Sequence, residues 1–308
     1  MFRHLTPAAA ALAVLACLGA PARAQLATGN WTPTYGAPLV VQTTQSTMKV
    51  IGGGQLYGST SGELDAAYGY IDGGALHLLL TGNIPFAWNI EGQPLWQPVD
   101  VFLDTRPDGQ NVLLANNPTV QPYVYDLAKL AGLRFDPGFE ADWWFSVGGS
   151  FLGFPRVAAV MAELPTAGGG AGTDLGTVMS GQSQPLTGGT NPFGVSVALN
   201  DSNTAGVTAG CGAWSGPEIR SGIELVIPLA AIGHPSGCIR VCAFTTWADH
   251  SQLHNQVLGP LPPGTCDLGP AAGVDFGAIA GNQWFTVCAT GATPTKRPSW
   301  GALKIVYR

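Results

Sequence analysis

The chain has 308 residues, 46% of them hydrophobic, with 43 Gly and a formal charge of −6. Its 13 Lys+Arg against 19 Asp+Glu exclude a partner gripped through phosphates, so no nucleic acid is expected. Charged residues are 10% of the chain, where about 25% is usual, a profile that suits an extracellular β protein with neutral loops built on one large core.

Residues 1–24, MFRHLTPAAAALAVLACLGAPARA, combine a basic start, an apolar run from Ala8 to Leu18 and a small-x-small end, the pattern of a secretory signal cleaved near Ala24. The mature chain then starts near Gln25 and carries 11 Lys+Arg against 19 Asp+Glu, placing it in the periplasm, outside the cell or on its surface. A rival reading takes Val14-Leu15-Ala16-Cys17 as a lipoprotein box with Cys17 lipidated. No apolar run reaches the roughly 20 residues that span a bilayer, so no transmembrane segment is expected.

From there, short alternating runs separated by Gly, Pro, Asn and Asp predict strands over 39–48, 64–71, 75–82, 99–104, 141–149, 156–164, 193–199, 222–229, 239–248 and 302–308. Asp72-Gly73-Gly74 between the second and third favours a tight hairpin. In "VDVFLDTRPDGQN" (99–111), Val101 and Leu103 share one strand face and Asp100, Phe102 and Asp104 the other, with Asp108 and Asn111 in the turn beyond. Residues 124–133, "VYDLAKLAGL", alone carry helical spacing and predict one short helix. Pro165–Gly216 reads as long Gly-rich loops inserted into the same domain. The expected fold is all-β, an antiparallel, jelly-roll-like β-sandwich with at most one or two short helices. It forms a single domain over 25–294, followed by a basic C-terminal strand or tail over 295–308.

Five cysteines remain in the mature chain, and an exported protein pairs them. In an extended "CIRVC", Cys238 and Cys242 stand about 13 Å apart, so each looks to Cys211, Cys266 or Cys288, and one thiol is left free or intermolecular. His250 and His254 in "DHSQLH" lack the Glu of a metalloprotease and read as a satisfied surface pair.

The order "ELDAAYGYIDGGALHLLLTGN", "VDVFLDTRPDGQN", "GIELVIPLAAIG" resembles the strand sequence of family 9 carbohydrate-binding modules and DOMON-type sandwiches, with Gly222, Glu224, Ile227, Pro228, Ile232 and Gly233 in the late motif. With "AGLRFDPGFEADWW" and "AGNQWFTV", the whole mature chain is also similar to secreted planctomycete-like bacterial proteins without an established activity. The first resemblance implies glycan binding and structural calcium. Asp104, Asp108 and Asn111 are the oxygen-rich candidates for that calcium; the alternative is that Asp104 and Asp108 hydrogen-bond their own turn. Trp88 and Trp96 in a polar, Pro-rich loop, with the adjacent Trp143 and Trp144, are candidate platforms for pyranose faces.

Hydrolase signatures are missing: there is no Gly-x-Ser-x-Gly, His-Glu-x-x-His or phosphate loop, and Glu140 with Asp142 or Glu218 with Glu224 are only generic carboxylate pairs. The leading expectation is a secreted, non-catalytic sandwich that binds a polysaccharide or cell-surface glycan. The alternatives are a structural or adhesive cell-surface protein that self-associates without a small ligand, and an extracellular polymer-degrading enzyme.

Overall fold

The computed structural model describes residues 26–45, 62–84, 97–120, 125–149, 156–202, 212–213 and 219–289. The stretch expected to be a signal (1–24), Trp88, Trp96, Cys211 and the strand expected over 302–308 lie outside the described residues.

After the short edge strand β1 (Val40–Val41), β2 (Glu63–Asp72) and β3 (Ala75–Asn83) form the predicted hairpin. Asp72 pairs with Ala75, and Gly73 and Gly74 take φ of 58° and 80°, the two positive values a tight type I′ turn requires. β4 (Val99–Asp104) leads into a long excursion carrying β5 (Thr119–Val120) and β6 (Tyr125–Asp126). The chain returns through β7 (Trp143–Gly149), β8 (Arg156–Glu163) and β9 (Gly172–Met179). Then follow β10 (Thr187–Gly188), β11 (Ser196–Leu199), β12 (Gly222–Pro228) and β13 (Ile239–Thr246). β14 (Gln252–Val257), β15 (Gly269–Pro270) and β16 (Phe285–Val287) complete the series.

The first sheet runs β1-β2-β3-β12-β11; the second runs β10-β9-β8-β7-β4-β13-β14-β15, with β16 sharing the β13 edge. Neighbouring strands pair antiparallel, as the hairpin signals predict. Alternation along β4 places Val101 and Leu103 against Leu76, Leu78, Ile223 and Leu225 of the first sheet, forming the core between the sheets. Phe102 points the opposite way. It stacks near Phe244 and Phe135, with ring centroids 5.6 and 5.0 Å away, in a second core cluster that includes Trp144 and Leu253 and, from the loops, Leu130, Leu133, Phe139 and Phe276. Each such side chain contributes roughly 1.5–3 kcal/mol by leaving water, so those loops form a third layer held to the second sheet by apolar burial.

Several expectations are corrected. The helix over 124–133 is a single 3-10 turn, Leu127–Leu130, capped by Asp126, whose carboxylate accepts from the Ala128 amide. Leu127, Leu130 and Leu133 have helical spacing because all three insert into the loop-layer core. Within the stretch read as loops, Gly172–Met179 is a strand whose glycine- and threonine-rich start is paired to β8. Of the first predicted strand, 39–48, the described residues 39–45 hold only the two-residue strand Val40–Val41. His250 and His254 are buried.

Cys238 and Cys288 form a disulfide between the start of β13 and the end of β16. Cys266 is also disulfide-bonded, and among the described residues Cys242 is a free thiol, buried in the loop-layer core. No helix among the described residues is long and apolar enough to cross a membrane.

Candidate functional site

The strands of both sheets stop at two ends with different chemistry. One end is formed where β4 finishes and β7 and β13 begin. There the buried Asp142 accepts from the Thr105 and Arg106 amides at 2.6 and 2.9 Å and from the Thr105 hydroxyl at 3.0 Å. Arg106 turns back to Asp142 and Glu163 and stands 5.6 Å above the Trp143 ring. Burial raises the Asp142 carboxyl above its usual range, against the opposing pull of these donors.

Across the same end, Arg240 pairs with Asp104 at 2.7 Å, donates to the Gly138 carbonyl and stands 5.3 Å above Trp284. The Asn111 amide donates to the carbonyls of Phe135, Asp136 and Phe139, so it clamps a loop. Asp108, at φ 77°, donates its backbone N–H to Glu140 and accepts from Thr166 through its carbonyl. The three residues named for calcium are thus given separate partners. No group of three His, Cys, Asp or Glu arranged for a metal occurs among the described residues.

The opposite end is rich in buried amides. Asn255 donates through its side chain to the carbonyls of Gln45 and Thr265 at 2.7 and 2.9 Å, while its backbone carbonyl accepts from Gln42 and Thr44. Gln256 accepts from the Leu64 amide and donates to the Thr44 carbonyl. Beside them, Asp100 accepts from the Trp144 indole at 2.8 Å and the Thr246 hydroxyl at 2.7 Å, with His250 Nδ1 at 3.0 Å. His250 has φ 60° in the turn between β13 and β14, a conformation non-glycine residues adopt only when the surroundings hold it. His254, 3.3 Å from the Thr245 hydroxyl, is kept neutral by burial, its pKa lowered to about 4.

These groups hold loop roots. Ile84 and Gln97, which flank the segment with Trp88 and Trp96, follow β3 and precede β4 at this end. The Thr246 amide donates to the Pro98 carbonyl, and the half-exposed Trp247 follows directly. Trp143, by contrast, belongs to the other end. Trp144 is corrected as a ligand platform: it faces away from the central core, as one of an adjacent pair must, but the loop layer covers it completely. Sequence reading missed Asp100, Thr44, Asn255 and Gln256 because buried polar residues at strand ends look like ordinary loop polarity.

Glu224 has a third role. One oxygen accepts from the Thr28 and Gly29 amides and the Thr28 hydroxyl, and the other from the Tyr35 hydroxyl at 2.6 Å. A carboxylate so fully occupied by donors is a structural anchor, not a hydrolytic acid or base.

No family model matches the chain, and no curated protein or solved structure is significantly similar to it.

Proposed function

We propose that the protein is a secreted, non-catalytic β-sandwich that binds a polysaccharide or cell-surface glycan through the loops of its amide-rich end. The observation that carries this reading is where the chain enters and leaves its tryptophan-bearing loops. Half-exposed Trp247 and both roots of the segment holding Trp88 and Trp96 lie where buried amides fix the loops, while Trp143 and Trp284 stand at the other end beneath arginines. Sugar recognition needs an aromatic face held rigidly beside neutral donors and acceptors, and a fixed loop root lowers the ordering penalty of binding. Export accords with the Cys238–Cys288 disulfide.

The test is depletion of purified residues 25–308 from solution by a panel of insoluble polysaccharides. Selective depletion by one polymer is expected, lost in Trp88→Ala/Trp96→Ala and retained in Trp143→Ala. Depletion by none of the panel, or loss only in Trp143→Ala, would reject the reading.

A further inference from the structure

Among the described residues three tryptophans carry an arginine on their rings, and the three guanidinium groups differ in what else they touch. Arg106, 5.6 Å above Trp143, pairs with Asp142 and Glu163. Arg240, 5.3 Å above Trp284, pairs with Asp104 and donates to the Gly138 carbonyl. Arg220 stands nearest to its ring, 4.1 Å from the Trp31 centroid. Among the described residues its guanidinium has neither a carboxylate nor a carbonyl partner.

The local fold builds this stack from the backbone. The Trp31 amide donates to the Arg220 carbonyl at 2.7 Å, next to the antiparallel bridge of Asn30 with Ser221, so Trp31 and Arg220 stand opposite each other and their side chains leave the same side of the chain. Trp31 packs against the cluster of Tyr35, Tyr68 and Tyr70, and its indole N–H donates to the Gly36 carbonyl at 3.2 Å. The indole is half-buried and Arg220 is exposed. The Arg220 charge is felt at Tyr68, where it opposes in part the burial that raises the hydroxyl pKa, while the buried Asp65 acts in the other direction. Asp65 forms no ion pair with Arg220.

Stacking engages the flat face of a guanidinium and leaves the N–H groups in its plane, the donors that fit two oxygens of one anion. The indole also restrains a long side chain before any ligand arrives, which lowers the ordering penalty of binding. Arg106 and Arg240 direct those donors to the protein's own acceptors; Arg220 does not. A formal charge of −6 disfavours a partner dense in negative charge, whereas a saccharide with one acidic group per ring matches one cation beside one apolar edge. We propose that Trp31 and Arg220 form a binding site for an acidic saccharide, the guanidinium taking a sugar carboxylate or sulfate ester and the uncovered edge of the indole packing on the sugar ring. The site uses neither Trp88 nor Trp96 and stands or falls separately from the loops of the amide-rich end.

The experiment measures retention of purified residues 25–308, at low salt, on beads carrying polygalacturonate, its methyl ester, a sulfated galactan or polyglutamate. Retention is expected on polygalacturonate, on the sulfated galactan or on both, which names the acidic group, and not on the uncharged ester or on polyglutamate. Arg220→Gln is expected to weaken it about tenfold or more, and Arg220→Lys, which keeps the charge and loses the planar fork, to weaken it less. Arg156→Gln removes the same charge from a side chain that donates to Thr177, and is expected to bind as the parent does. Trp88→Ala/Trp96→Ala is likewise expected to keep acidic-polymer retention, so that failure of this site and failure of the loop site are told apart. The proposal is overturned if neither acidic polysaccharide retains the protein, if polyglutamate retains it equally, or if Arg220→Gln and Arg156→Gln are retained alike.

Discussion

The two ends of the sandwich finish the same strands by opposite means. At one, Asp104, Asp142, Arg106 and Arg240 neutralise each other at a half-exposed surface, and their guanidinium groups cover Trp143 and Trp284. At the other, Asp100, Asn255 and Gln256 are fully buried and direct their hydrogen bonds to neighbouring segments. Paired charges close a surface; buried amides fix the bases of loops and leave their tips for other uses. The contrast runs along one strand, since Asp100 and Asp104 lie on the same face of β4.

The sharpest way to break this comparison is to remove each of those two carboxylates. Asp100→Ala strands the Trp144, Thr246 and His250 donors in the interior and is expected to lower unfolding free energy by about 3–5 kcal/mol. Asp104→Ala loses a pair to a half-exposed arginine and is expected to cost about 1 kcal/mol. Equal losses in urea titrations of the two variants would remove the distinction between the ends.

Acid separates them next. His254 stays neutral in the fold down to about pH 4, while the unfolded chain takes up its proton near 6.5. Below pH 6.5 the unfolded state binds more protons, so stability declines as the pH drops and about 3 kcal/mol is lost by pH 4. Asp142 has the opposite sign: its raised carboxyl is protonated in the fold before it is in the unfolded chain, so acidification through that window adds stability. His254→Gln is therefore expected to flatten the decline between pH 6.5 and 4.5, and an unchanged slope would place the acid sensitivity elsewhere. Asn255→Ala at pH 7, which leaves the Gln45 and Thr265 carbonyls without their side-chain donor, is expected to cost about 2 kcal/mol and to loosen amide exchange around Thr44 more than around Trp143. The smallest effect concerns the Asp104 turn. Calcium or chelator is expected to shift Tm by less than about 1 °C, and a larger calcium-dependent rise would return Asp104 and Asp108 to the role of ligands.

What the sequence made legible follows from how local each signal is. The β2–β3 hairpin and β4 were readable because alternation and Asp72-Gly73-Gly74 act within a few residues. β9 was hidden because its glycines carry no pattern, although Gly176 sits against the Thr187 carbonyl where a Cβ has no room. β14, Gln252–Val257, was hidden because its His254, Asn255 and Gln256 look solvated and are buried. Asp104 was rightly placed at a strand end, but its partner Arg240 is 136 positions away, and nothing in the turn itself discloses an ion pair. The split of the tryptophans between two ends was equally invisible, since it depends on which strand follows which in space.

The bond between Cys288 and Cys238 has a mechanical consequence. β16 is only three residues long and would peel from its neighbour under a modest pull. Tension applied to the chain beyond Ala289 passes instead through the sulfurs into the root of β13, a strand flanked by β4 on one side and by β14 and β16 on the other. The covalent link makes the centre of the second sheet carry the force of anything attached on the C-terminal side.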